Sequence, residues 1–60
     1  MNLYRITIHS DESLWRWAGY VPAPDSREAV TRALKRAAAE NKLEGLTVHS
    51  LELVDEGFSR

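Results

Sequence analysis

The sequence predicts an α+β domain in the order ββαβ, with a three-stranded, mainly antiparallel sheet of order 2-1-3 and one helix packed on one face. Two alternating segments open the chain, an alanine-rich segment of helical period follows, and a third apolar segment comes near its end. A right-handed crossover through the helix makes strand three parallel to strand two and places it beside strand one. We expect one small domain over 1–60, with strands at about 3–9, 14–21 and 46–54 and a helix at about 26–41.

The first two strands are predicted to form a hairpin. From Leu3 to His9, aromatic and β-branched residues occupy every second position, which is typical of a half-buried strand. The polar cluster from Ser10 to Ser13 then makes the turn. The second strand is expected to end before the segment "PAP", because proline cannot continue a ladder of backbone hydrogen bonds.

The helix has the clearest start signal in the chain. Asp25 can cap its first turn, and Glu28 stands three residues later, as in a capping box. Gly45 can take a left-handed conformation after the helix ends. The apolar residues at helical spacing predict a buried stripe, which consists of Val30, Ala33, Leu34, Ala37 and Ala38.

The third strand has an ambiguous phase. Leu46 and Val48 share one parity, whereas Leu51 and Leu53 share the other. Two interpretations follow: a bulge near His49 shifts the register, or the strand is apolar on both faces.

Two tryptophans, Trp15 and Trp17, fall on one face of the second strand and leave Arg16 on the other. If Arg16 faced the helix it would be buried without an obvious partner, which is costly. We therefore expect the tryptophans to cover the alanine-rich helix, and a binding platform made by the rings is the alternative.

Composition limits the classes of function. The chain has 60 residues and no cysteine, so disulfides and thiolate metal sites are excluded and a reducing compartment is favoured. No apolar run approaches the length of a membrane span and no signal peptide is recognisable. We expect a cytoplasmic protein without a cofactor or a membrane contact. A net charge of −1 makes nucleic acid a less favoured partner than protein.

The sheet face away from the helix is expected to be open. It would carry Arg5, Arg16 and Tyr20 together with His9. Basic groups beside an aromatic ring are one way of holding single-stranded nucleic acid, and an ordinary solvated face is the alternative. His9 and His49 are predicted to meet across neighbouring strands, but two histidines without a third ligand do not predict a metal site.

No pattern in the chain predicts catalysis. There is no adjacent pair of nucleophile and base, no glycine-rich phosphate loop and no pair of carboxylates set in an apolar pocket. We therefore expect a protein that is not an enzyme.

The acidic residues are predicted to gather at the two ends of the domain and form a binding surface for a basic partner. A solvated surface that only keeps the protein soluble is the alternative. The candidate residues at the hairpin tip are Asp11, Glu12, Glu40 and Glu44, and those at the close of strand three are Glu52, Asp55 and Glu56.

The arrangement as a whole, with "YRITI", "WAGYV", "DSREAVTRAL" and "LTVHSLELV", resembles small orphan proteins of phages and mobile elements. It is also similar to the ββαβ core of an archaeal ribosomal protein of the LX type. That second likeness implies contact with ribosomal RNA and a basic surface, from which the net charge of −1 departs.

Among phage orphans, small anti-CRISPR proteins are the class that this pattern resembles most. The resemblance implies an inhibitor that binds a CRISPR effector complex of the host, acts in the host cytoplasm and blocks DNA recognition. Such an inhibitor is expected to be a monomer or a weak dimer. The alternative function is a small RNA- or single-stranded nucleic-acid-binding module that uses the open sheet face.

Overall fold

A computed structural model of the chain describes residues 1–11, 15–41 and 45–58. Its elements are β1 (Asn2–Ser10), β2 (Arg16–Ala23), α1 (Ser26–Asn41) and β3 (Leu46–Asp55). The three strands form one sheet in the order β2-β1-β3, and β1 runs antiparallel to both neighbours. The predicted fold class and strand order are confirmed.

The core lies between the sheet and α1. Tyr4, Ile6 and Ile8 of β1 are buried, and the register places Val21, Gly19 and Trp17 of β2 opposite them. Trp17 is only 8% exposed, and Trp15 is partly buried against the same cluster. The prediction that the tryptophans belong to the core is confirmed. The burial of such large rings gives so short a chain the apolar area that its stability needs.

The buried stripe of α1 differs from the predicted one. Ala29, Ala33 and Ala37 are fully buried, Val30 and Leu34 are only partly buried, and the exposure of Ala38 corrects the prediction. Residues spaced by four lie one above the other on a helix. The three alanines turn their small side chains to the sheet, where the large ring of Trp17 fills the core.

The start of α1 is capped as predicted. The Glu28 backbone N–H donates to Asp25 Oδ1 at 2.9 Å, and the Ala29 N–H donates to the Asp25 carbonyl at 3.1 Å. The Glu28 carboxylate does not complete the capping box in its usual way. It accepts instead from Arg32 Nε at 3.3 Å, one turn further along the helix.

The second strand continues through Pro22 to Ala23 and begins at Arg16, so the predicted end before proline is wrong. The carbonyls of Tyr20 and Pro22 accept from Arg36 and Arg32 of α1, at 2.9 and 2.8 Å, so they point away from β1. In an antiparallel ladder the N–H and carbonyl of one residue point to the same side. The N–H that Pro22 lacks would therefore lie on the outer edge, and its loss costs no ladder bond.

A register shift resolves the phase of β3. Ile8 pairs with Val48 while Thr7 pairs with Ser50, so His49 is the extra residue of a bulge. The shift brings Leu51 and Leu53 to the same face as Leu46 and Val48. This is the face that packs on the helix, because their cross-strand partners are the helix-facing residues of β1. The bulge interpretation is confirmed, and a second shift near Val54 has no counterpart in the prediction.

Helix α1 leaves much of β3 uncovered. Leu46 and Val48 are partly buried against the core, whereas Leu51 and Leu53 are 37% and 44% exposed although they lie on the helix side of the sheet. Within the described ranges, no helix is both long enough and apolar enough to cross a membrane.

Candidate functional site

The open face of the sheet carries the predicted polar row. The register places Arg5 opposite Tyr20 and His9 opposite Arg16. Arg5, Arg16 and Tyr20 are all exposed, and the exposed fraction of Tyr20 is 57%. The three alternative site residues therefore share one face, and Arg5 and Tyr20 are cross-strand partners on it.

A carboxylate interrupts this basic face. Glu52 lies opposite Arg5 on β3, and their side chains form an ion pair in which Arg5 Nη1 is 3.9 Å from Glu52 Oε1. Both side chains are more than half exposed, so the pair contributes little to stability. Its effect is local neutralisation, since the negative charge lies where a phosphate would have to approach Arg5.

The two histidines meet as the sequence predicts. The rings of His9 and His49 lie edge to face, with their centroids 5.5 Å apart. No third candidate ligand joins them in the part of the chain that the structure describes. Arg16 is the cross-strand neighbour of His9, so a guanidinium group belongs to the same end of the open face.

The acidic group at the hairpin tip is described only in part. Asp11 and Glu40 are exposed, while Glu12 and Glu44 lie outside the described residues. The Asp11 N–H donates to the Gly45 carbonyl at 3.1 Å, and Gly45 has the positive φ of 69° that the sequence predicts. This bond ties the end of β1 to the residue that precedes β3.

The acidic group at the end of β3 is described in full. Glu52, Asp55 and Glu56 are all exposed. Asp55 lies opposite Leu3 near the start of β1, and its carboxylate accepts from the Gly57 N–H at 2.9 Å. Three carboxylates thus come from five consecutive residues at one corner of the sheet, and Arg5 pairs with one of them.

The basic residues of α1 fall into two sets. Arg32 and Arg36 reach back to β2, and the Arg36 guanidinium carbon also lies 5.3 Å from the centroid of Trp17. Arg27 and Lys35 are exposed. Two of the four basic residues of α1 therefore cover the edge of β2.

The exposed apolar residues of β3 were missed as a candidate surface. Leu51, Leu53 and Val54 are 37%, 44% and 48% exposed. The signal was present in the ambiguous phase of "LTVHSLELV", because a bulge that unites the leucines on one face produces a longer apolar strip than one helix covers.

The fold and these surfaces define a small ββαβ domain that presents side chains on open faces and edges. No protein family, curated protein or solved structure matches this chain.

Proposed function

We propose that this protein is a non-catalytic inhibitor of the phage anti-CRISPR type, which binds a protein partner through exposed carboxylates. Its target is the DNA-binding surface of a CRISPR surveillance complex, and its effect is to block DNA recognition. The observation that carries the proposal is the exposure of Glu52, Asp55 and Glu56 together at one corner of the sheet.

The charge of the target supports this mechanism. A protein surface that binds DNA neutralises phosphates with lysine and arginine. Carboxylates held on a folded corner offer such a surface an alternative anionic ligand, and complementary potentials accelerate the encounter. Asp11 and Glu40 are also exposed and supply further negative charge.

A specific observation also favours the second candidate, a single-stranded nucleic-acid-binding module. Tyr20 is exposed and lies opposite Arg5, so a base could stack on the ring while the guanidinium approaches a phosphate. Glu52 weakens this candidate, because its carboxylate lies 3.9 Å from the guanidinium of Arg5. Arg5 offsets Glu52 in turn, but Asp55 and Glu56 are exposed at the same corner and keep it negative, so the protein-binding proposal is preferred.

The proposal is tested by measuring how purified surveillance complexes of different CRISPR types bind labelled target DNA. We expect this protein to abolish DNA binding by at least one complex. A variant with Glu52→Lys, Asp55→Lys and Glu56→Lys should lose the inhibition. The matched control, Arg27→Glu with Lys35→Glu, alters exposed charges on α1 and should inhibit like the parent.

Two results would contradict the proposal. One is that no complex loses DNA binding. The other is that the variant with Glu52→Lys, Asp55→Lys and Glu56→Lys inhibits as well as the parent. The second candidate would be favoured if the protein bound labelled single-stranded RNA or DNA at moderate salt and lost that binding in a variant with Arg5→Ala and Tyr20→Ala.

A further inference from the structure

The two edges of the sheet are built differently. On the outer edge of β2, Arg36 and Arg32 donate to the carbonyls of Tyr20 and Pro22, and Pro22 offers no N–H. A strand that approached this edge would find two carbonyls already engaged and one donor missing. The edge of β2 is therefore protected against pairing.

The outer edge of β3 has no such cover among the described residues. β1 is its only neighbour in the described sheet, and no described side chain donates to its outward carbonyls. Leu51 and Leu53 lie beside this edge on the helix side and remain 37% and 44% exposed. A ten-residue edge strand with exposed apolar side chains is a template for another strand.

We propose that the occupant of this edge is a second copy of the chain, whose β3 pairs antiparallel to the first about a two-fold axis at Leu51. The product is a continuous six-stranded sheet with both helices on the same face. This inference goes beyond the proposed function and does not depend on it.

The distribution of charge along β3 favours a second copy and sets its register. The acidic residues Glu52 and Asp55 occupy the C-terminal half, whereas Thr47, His49 and Ser50 of the N-terminal half include no acid. Antiparallel pairing about Leu51 puts Glu52 of each copy opposite Ser50 of the other and brings the acidic half of one strand beside the histidine-bearing half of its partner. Pairing about Glu52 would instead set two like charges directly opposite, which is unfavourable.

The apolar strip also matches itself in this register. The two Leu51 side chains face each other at the axis, on the side of the sheet that carries the helices. Leu53 of each copy then meets the segment around Val48 of the other, so residues that one helix leaves exposed become covered. Glu52 and Asp55 lie on the opposite face, beside Arg5 and Leu3 of their own chain, and stay accessible in the dimer.

Sedimentation equilibrium of the full chain tests whether a dimer forms. The average mass should rise from 6.8 kDa toward twice that value as the concentration increases from about 5 µM to about 1 mM, the range expected of a small interface. A variant with Leu51→Lys and Leu53→Lys should remain near 6.8 kDa, because lysine protects an edge strand. The matched control, Tyr20→Lys, alters an exposed ring on β2 and should associate like the parent.

Single cysteines test the register, since the chain has none of its own. Opposed residues in an antiparallel ladder have Cα atoms about 4.5–5.5 Å apart, within the span of a disulfide. Leu51→Cys should therefore form a disulfide-linked dimer under mild oxidation. Glu52→Cys should crosslink far more slowly, because strand geometry places its two copies about 8 Å apart. Ala18→Cys, an exposed position on β2, is the control for random collision.

The proposal is overturned if the parent remains at 6.8 kDa at every concentration, if the variant with Leu51→Lys and Leu53→Lys associates like the parent, or if Glu52→Cys crosslinks at least as fast as Leu51→Cys. A different result would assign the edge to a foreign strand: the parent stays monomeric but binds a surveillance complex, and the variant with Leu51→Lys and Leu53→Lys loses that binding. That result would overturn the dimer and leave the proposed function standing.

Discussion

Gly19 lies under the ring of Trp17, and replacing it tests the packing of the core directly. A Cβ atom built at Gly19 falls 2.7 Å from Cη2 and 2.9 Å from Cζ2 of Trp17. These atoms belong to a rigid ring that is only 8% exposed, so the added methyl group cannot be accommodated by a small side-chain movement. Gly19→Ala should lower the free energy of unfolding by about 1–3 kcal/mol, the usual cost of overpacking.

The same methyl group should be tolerated when the ring is smaller. Phenylalanine at position 17 lacks the outer carbons that approach Gly19, and alanine is otherwise favoured over glycine in a strand by about 0.5–1 kcal/mol. Gly19→Ala in the Trp17→Phe background should therefore cost little or stabilise the protein. The expected coupling between the two sites is about 1–3 kcal/mol.

The assay is urea denaturation followed by circular dichroism, because tryptophan fluorescence changes with the substitution itself. The parent, both single variants and the double variant complete the cycle. Equal costs of Gly19→Ala in the two backgrounds, or no cost in the parent, would refute the placement of the Trp17 ring over Gly19.

Three further predictions concern the same core and its caps. Trp17→Ala should cost about 3–5 kcal/mol and Trp15→Ala clearly less, because Trp15 is only partly buried; chemical denaturation that gave equal losses would contradict this difference. Asp25→Ala should cost about 1 kcal/mol through the lost helix cap, measured as a lower midpoint of thermal unfolding, and Asp25→Asn should retain most of the stability. Arg36→Ala should cost about 1 kcal/mol, because it removes the donor to the Tyr20 carbonyl and the cation over Trp17; an unchanged urea midpoint would show that neither contact stabilises the fold.

The elements and their order could be predicted because local patterns and tertiary packing agree along most of the chain. Alternation in β1 separates Ile6 and Ile8 from Arg5, and the burial of the isoleucines follows that alternation. The cap at Asp25 is a local interaction and was predictable for the same reason. The two-residue period, together with the cost of burying Arg16, was also sufficient to place Trp17 in the core.

The errors arose where tertiary contacts decide the outcome. The end of β2 could not be predicted from proline alone, because the tertiary structure decides that its missing N–H lies on an outer edge. Arg32 and Arg36 lie outside the apolar stripe that periodicity defines, yet their long side chains reach the carbonyls of β2. The exposed leucines of β3 were missed because coverage depends on where the helix lies, which periodicity does not specify.

The association rate between this protein and a purified surveillance complex tests the acidic-surface mechanism most directly. Exposed charges at an interface change mainly the association rate constant. Salt screens them, because the Debye length falls from about 30 Å at 0.01 M to about 10 Å at 0.1 M. We predict that the variant carrying Glu52→Lys, Asp55→Lys and Glu56→Lys associates at least about tenfold more slowly than the parent at low salt, and that the difference shrinks as salt rises. Equal association rates for the folded variant and the parent at every salt concentration would contradict the mechanism.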